Sequence, residues 1–171
     1  MSSSVPGHTP GGDTGPRKRA GFAAIREDVH IHAGAPAVRA LLADPRTWRD
    51  WLPPAVRAFQ ADSEGVGFRL TLPGREEAYS LRRDASEDPR EIVYRVDEGG
   101  VAETLTWALF PEGARECHIT AEIAYRPAAG LVGGAMETLM HRPQRIQILR
   151  DLLWNLKRGV EHSGSAEAAS A

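Results

Sequence analysis

Between about Ala128 and His162 the apolar residues fall at helical intervals: Leu131, Met136, Leu139 and Met140, then Leu149, Leu152, Leu153, Leu156 and Val160. No earlier segment sustains that period beyond a few turns, and most of the chain before it alternates with period two. One long helix and a set of strands bury their apolar faces only by covering each other. The expected architecture is therefore an α+β domain in which a curved sheet wraps around a long C-terminal helix. Pro143 falls inside the helical run. Proline removes an amide donor and disfavours the helical region at Arg142, so a kink or break is expected there.

The strands are marked by alternation and by the turns between them. In Ile25 to His32, Ile25, Glu27, Val29 and Ile31 share one face, with Arg26, Asp28, His30 and His32 on the other. Two short helices follow. The first has Pro36 in its opening turn and Val38, Leu41 and Leu42 on one stripe; the second has Asp44 as N-cap, Pro45 in its first turn, and Trp48, Trp51 and Leu52 at helical spacing. Six more strands are expected near 55–62, 66–72, 76–84, 91–97, 101–110 and 115–125. Glu64-Gly65, Pro73-Gly74, Asp88-Pro89, Gly99-Gly100 and Glu112-Gly113 supply the turns. Links this short join antiparallel neighbours, so the seven strands should form a meander.

Of 171 residues, 42% are apolar, enough for one core and too few for two domains. Residues 1–20 are Ser, Pro, Gly and Thr with nothing to bury, and 163–171 read the same way, so both are expected to be tails around a domain at 21–162. The net charge of −2 has both signs interspersed, which argues against a nucleic-acid partner, and Arg17-Lys18-Arg19 is too short a run to change that. No apolar run reaches the length of a membrane span, so no stable membrane insertion is expected. A lone cysteine, Cys117, fits a reducing compartment, and the expected location is cytoplasmic.

Strand parity narrows the chemistry. Glu103, Leu105, Trp107 and Leu109 share one face, and its apolar members mark it as inward. Glu103 is costly to bury unpaired, so it belongs at a rim or in a site. Around Arg82 alternation leaves two readings. Tyr79 and Leu81 pointing inward put Arg82 on the solvated face. Ala78 and Ser80 as small cavity-wall residues put it inside. Alternation by itself favours the first. His30 and His32 have ligand-like spacing, but no carboxylate or thiol cluster completes a metal site, so they read as solvated histidines and no metal is expected. Cys117 lies in register with Ile119, Ala121 and Ile123 and reads as a buried, inert thiol. Gly130 to Met136 (GLVGGAM) fits neither a dinucleotide nor a P-loop pattern, and no cofactor is expected.

The stretch VHIHAGAPAVRALLADPRTWRDWLP (Val29 to Pro53) resembles the opening of the START-like superfamily, which includes polyketide cyclase/dehydrase and lipid-transport proteins. The Ala-Pro turn and the Asp44, Trp48, Trp51 segment carry the likeness. The closing helix is similar too, through Asn155, Leu156, Lys157 and Glu161. The resemblance implies a helix-grip fold with a hydrophobic small-molecule ligand. Within the superfamily the chain looks most like aromatic polyketide aromatase/cyclases. On that likeness Ser80 and Arg82 fall where those enzymes place a pocket serine and a catalytic arginine, and Trp107 where they place a pocket tryptophan. One departure is Ala55, near the place of a tyrosine in those enzymes.

Two functions follow from the resemblance. In one, the chain folds a polyketide intermediate and promotes aldol-type ring closure and dehydration, with Arg82 and Ser80 catalytic. In the other, it is a non-catalytic carrier or sensor of a lipid, quinone or similar apolar ligand. In both, the expected ligand-binding residues are Trp48, Trp51, Ala78, Arg95, Glu103, Leu105, Trp107, Met136, Met140, Ile148 and Leu152. A gate is expected between Gly130 and Pro143, and a homodimer is an allowed assembly.

Overall fold

The computed structural model describes residues 22–97 and 101–169, with side chains through Ser163. The expected N-terminal tail at 1–20 and the Gly99-Gly100 turn lie outside the described residues. The strands are β1 (Ala23–Ile31), β2 (Val56–Ala61), β3 (Gly65–Leu72), β4 (Arg75–Asp84), β5 (Glu91–Val96), β6 (Ala102–Pro111) and β7 (Cys117–Tyr125). They form one antiparallel sheet in the order β1-β7-β6-β5-β4-β3-β2. From β2 to β7 each strand pairs with the next, as short turns require. Pro73-Gly74 shows why: Leu72 pairs with Arg75 across a two-residue loop, and Gly74 takes a φ of 68° that a side chain would resist.

Helix α1 (Ala35–Ala43) and a short 3-10 helix (Pro45–Asp50) carry the chain from the β1 edge towards the opposite edge. Asp44 caps the second as its composition predicts, accepting from the Arg46 amide at 3.1 Å. Tyr94 of β5 ties this corner down by donating to the Leu42 carbonyl at 2.9 Å. At the free edge, β2 changes register between Arg57 and Gln60, and Ala58 has a φ of 48°. Such a bulge twists an exposed strand away from further pairing.

The C-terminal helix is continuous. Helix α2 (Leu131–Met136) passes through one widened π turn (Glu137–His141) into α3 (Arg142–Ala169). Of the kink or break expected at Pro143, no break occurs, and Arg142 keeps helical angles of φ −61° and ψ −48°. In an α-helix, the ring of Pro143 would collide with a carbonyl four residues back, and that carbonyl would lose its donor. The widened turn bypasses both problems: the Arg142 amide donates to the Glu137 carbonyl, five residues back. The helix also runs past the expected end at His162, through residues read as tail, to Ala169. Among the described residues, no helix is long and apolar enough to cross a membrane.

Leu149, Leu153, Leu156 and Val160 of α3 are buried against Ile25, Val29 and Ile31 of β1 and Leu105, Trp107, Ile119 and Ala121 of the neighbouring strands. Cys117 is fully buried in the same core, and burial pushes its thiol pKa up. Adjacent residues on α3 give a direct check on this packing. Leu153 is 1% exposed and Trp154 55%. Leu153→Ala should cost about 2–5 kcal/mol in urea unfolding, whereas Trp154→Ala should stay within about 0.5 kcal/mol.

Candidate functional site

Between α3 and the concave face of the sheet lies a cavity of about 60 Å³. Its walls are Ile25, Val56, Phe68, Leu70, Tyr79, Leu105 and Ile123 from the strands, Trp48 and Leu52 from the 3-10 corner, and Arg145, Ile148, Leu149 and Leu152 from α3. Twelve of these are carbon-rich side chains. Arg145 is the single charged one, and Tyr79 carries the only hydroxyl. The ring of Tyr79 is held in place by stacking on Phe68, centroid to centroid 4.8 Å.

Arg145 is 3% exposed, and two carboxylates and a hydroxyl meet its charge. Its Nη1 and Nη2 donate to the two oxygens of Glu77 at 2.5 and 2.7 Å. Nη1 also donates to the Tyr79 hydroxyl at 2.9 Å, and Nε to Glu137 at 3.3 Å. Tyr79 in turn donates to Glu77 at 3.0 Å. Arg75 approaches Glu77 from the rim at 2.9 Å, and the guanidinium of Arg145 lies 4.5 Å above the Tyr125 ring. His141, also buried, has Nε2 3.3 Å from the Pro73 carbonyl and Nδ1 3.5 Å from Glu137. These contacts link α3, the π turn, β4 and the β3–β4 hairpin.

The network sets protonation. Burial opposes the charge on Glu77, but the bonds and charge of Arg145 outweigh it and hold the carboxyl below its ordinary range. Burial also opposes the charge on Arg145, and Glu77 reverses that, leaving the guanidinium more firmly protonated than a free one. Burial raises the Tyr79 phenol, so it stays a hydroxyl. Tyr125 is raised by burial and by the Glu137 carboxylate beside it.

Arg145 was not among the residues expected here, although its spacing marks it. It sits four residues before Leu149 and seven before Leu152, squarely on the apolar stripe of the helix. Glu77 alternates with Tyr79 and Leu81 in the same way. Glu137, His141, Arg145 and Leu149 are spaced by four, which on an ideal α-helix drifts by about 40° per step. The widened turn at Glu137–His141 takes back that drift and keeps both buried polar residues on the sheet side. Such turns recur at functional sites.

Of the residues expected to bind ligand, Trp48, Leu105, Ile148 and Leu152 do line the cavity. Trp51 and Trp107 stand behind it, packed with Trp48 at ring separations of 5.6 and 5.8 Å. Trp107 is fully buried core rather than cavity wall. Several placements need correction. On β4 the buried residues are Glu77, Tyr79 and Leu81, so Ala78, Ser80 and Arg82 belong to the outer face. There Arg82 donates to Asp97 at 3.0 Å, with Asp62 and Glu64 each 3.9 Å away. Turning it inward would bring Tyr79 and Leu81 out and bury a cation away from those three carboxylates. Arg95 is likewise exposed and paired with Asp84 at 2.6 Å. Glu103 sits at a register shift between Ala102 and Thr104, where Ala102 takes the buried position instead. Met136 and Met140 are 37% and 41% exposed and lie outside the cavity.

The family model described as polyketide cyclase / dehydrase and lipid transport matches residues 23–161. The chain belongs to that family. An aromatase/cyclase from a Streptomyces species matches in structure with a TM-score of 0.60 at 21% identity, over 81% of this chain and 96% of that one. A START superfamily protein from Mycobacterium smegmatis gives 0.60 at 10% identity, over 80% and 98%. A norcoclaurine synthase from Thalictrum flavum gives 0.58 at 17% identity, over 83% and 96%. At these identities the likeness is one of fold, the START-like helix grip. Among curated proteins, none matches the chain in sequence.

The Glu77–Arg145 pair predicts an acid limb in stability. The Glu77 pKa is 4.5 when unfolded and lower when folded, so its contribution is complete above about pH 5 and disappears as the pH falls through the folded value. Glu77→Gln should cost about 3–5 kcal/mol at pH 7, because it strands Arg145. The variant should also lose less stability than the wild type between about pH 5 and pH 3. Parallel denaturant titrations across that range check both outcomes.

Proposed function

We propose that this protein binds a largely apolar small molecule that carries a carbonyl or hydroxyl oxygen, oriented by Arg145 and Tyr79. The observation that carries this reading is an otherwise carbon-lined cavity with its single charged side chain built into the wall. A site of this kind takes its affinity from apolar contact and its orientation from the few polar groups present. The four contacts of Arg145 use four of its five N–H groups, leaving one donor on Nη2 for a ligand oxygen. The indole N–H of Trp48, at the cavity wall, has no protein acceptor among the described residues and offers a second donor.

Ring closure and dehydration of a poly-keto chain is the second reading, favoured by the family and by the rigid mounting of Arg145. A guanidinium fixed by Glu77 and Glu137 before substrate arrives needs no reorganisation to stabilise an enolate oxygen. On this reading Arg145 takes the role that Arg82 was expected to fill.

The cavity holds about two water volumes, far below the roughly 300 Å³ of an ordinary ligand site, so binding requires opening. The gate is the segment from Gly130 to Pro143. Leu131, Val132 and Leu139 are 96%, 79% and 75% exposed there, so little apolar contact holds them, while Glu137 and His141 latch the segment to Arg145 and Pro73. Hydrogen exchange should be fast over 130–143 in the free protein and slower with ligand bound. Equal protection in both states would remove the gate.

Tyr79→Phe keeps the ring stacked on Phe68 and deletes the hydroxyl. Its affinity for a long-chain alcohol, whose O–H can donate to the remaining lone pair of the Tyr79 oxygen, should drop about fivefold or more, while binding of the matching hydrocarbon probe stays unchanged. Arg82→Ala should bind both like the wild type. Competition titration with a fluorescent apolar dye measures all three proteins. Loss of alcohol binding in the Arg82 variant alone would return the site to the outer face.

A further inference from the structure

The outer face at the end of β1 and β7 carries a side-chain cluster that the cavity does not use. His30 and His118 are direct cross-strand partners. Their neighbours Val29, Ile31 and Ile119 point into the core, so both imidazoles stand on the outside. The turn after β6 brings Glu112 to within 2.7 Å of His30 Nδ1. Donor atoms of His30, His118 and Glu112 all lie within 4.8 Å of one another. Asp28 stands 3.0 Å from His118 Nε2, as an outer carboxylate that holds the ring in place. The sequence placed Asp28, His30 and His32 on one face but not Glu112 with them, because Glu112 reaches them from a turn some eighty residues away.

We propose that His30, His118 and Glu112 bind a divalent transition-metal ion of the zinc type, with water completing the coordination. Two imidazole nitrogens and one carboxylate suit zinc, nickel or copper, whereas magnesium and calcium take oxygen ligands. Around a tetrahedral zinc ion, neighbouring donors stand about 3.4 Å apart, which these side chains reach by small rotations. His30 and His118 are 36% and 34% exposed on paired strands, so the backbone already fixes their separation. A second grouping, His30 with His32 and Glu116, is less well held: His32 lies beyond the end of β1 and is 61% exposed.

The ion would staple β1, β7 and the turn after β6 at the point where the C-terminal helix is also tied. Lys157 donates to the His30 carbonyl at 2.8 Å, and the His32 amide donates to Glu161 at 2.9 Å. Metal binding therefore raises the stability of this end of the molecule without touching the cavity.

The test uses the full chain without an affinity tag, titrated calorimetrically with zinc chloride near pH 7.5 and melted with and without zinc. The expected result is saturable binding of one ion per chain and a higher melting temperature, with no change from magnesium. His118→Ala and Glu112→Gln should each weaken zinc binding at least about tenfold and remove the thermal shift, whereas His32→Ala keeps both. These side chains are on the surface, and circular dichroism will show that the variants fold. Absence of saturable zinc binding overturns the proposal. So does wild-type affinity in His118→Ala, or loss of binding in His32→Ala alone.

Discussion

A single helix has to shield the concave face of seven strands, and a helix about 10 Å across does not fill that face from edge to edge. Where α3 lies against β1, the two close completely around Leu149, Leu153 and Leu156. Towards β3 and β4 the sheet curls away from the helix, and a second, smaller cluster around Leu70, Leu72, Tyr79 and Ile148 forms there. The cavity lies between the two. It is a consequence of fitting a rod to a curl. The Glu77–Arg145 bridge spans the same gap, tying the helix to the sheet where apolar contact is thinnest.

The price of that bridge is the two carboxylates Glu77 and Glu137 and the guanidinium of Arg145 held out of water. Removing one partner leaves the others desolvated and unpaired, so the set stands or falls as a unit. Its attachment to the β3–β4 hairpin through His141 and Pro73 means that the cavity's polar wall and the base of the exposed α2 segment share one set of contacts. A molecule that displaces Glu137 or His141 would loosen both together.

Much of the fold could be read directly, because it rests on local signals. Alternation placed seven strands within a few residues, Asp44-Pro45 announced its cap, and Pro73-Gly74 its turn. The site was harder to read. Parity on β4 by itself put Tyr79 and Leu81 inside, and the family likeness pulled Arg82 in against it; the alternation was the better guide to placement. Arg145 was overlooked because an arginine inside an apolar stripe ordinarily snorkels to the surface. Its burial depends on Glu77, a residue 68 positions earlier whose position relative to the helix no local pattern encodes. The continuous helix through Pro143 was hidden for a related reason: a widened turn has no sequence signature beyond the proline it accommodates.

That widened turn fixes the rotational setting of everything before it. A helix carries its side chains around an axis as a thread carries its pitch, and the π turn is one extra residue cut into that thread. Loss of a single residue between 137 and 141 would take the extra residue out and leave the segments on either side at nearly their present bearings. Closing the turn into a uniform α-helix at unchanged length would instead swing everything before it by most of the ~100° that one residue occupies. Glu137 would leave Arg145, and the solvent-facing side chains Leu131, Val132 and Leu139 would sweep round to a new bearing. The change would act like a gear slipping one tooth, with every residue type unchanged and the alignment between the exposed α2 segment and the cavity gone.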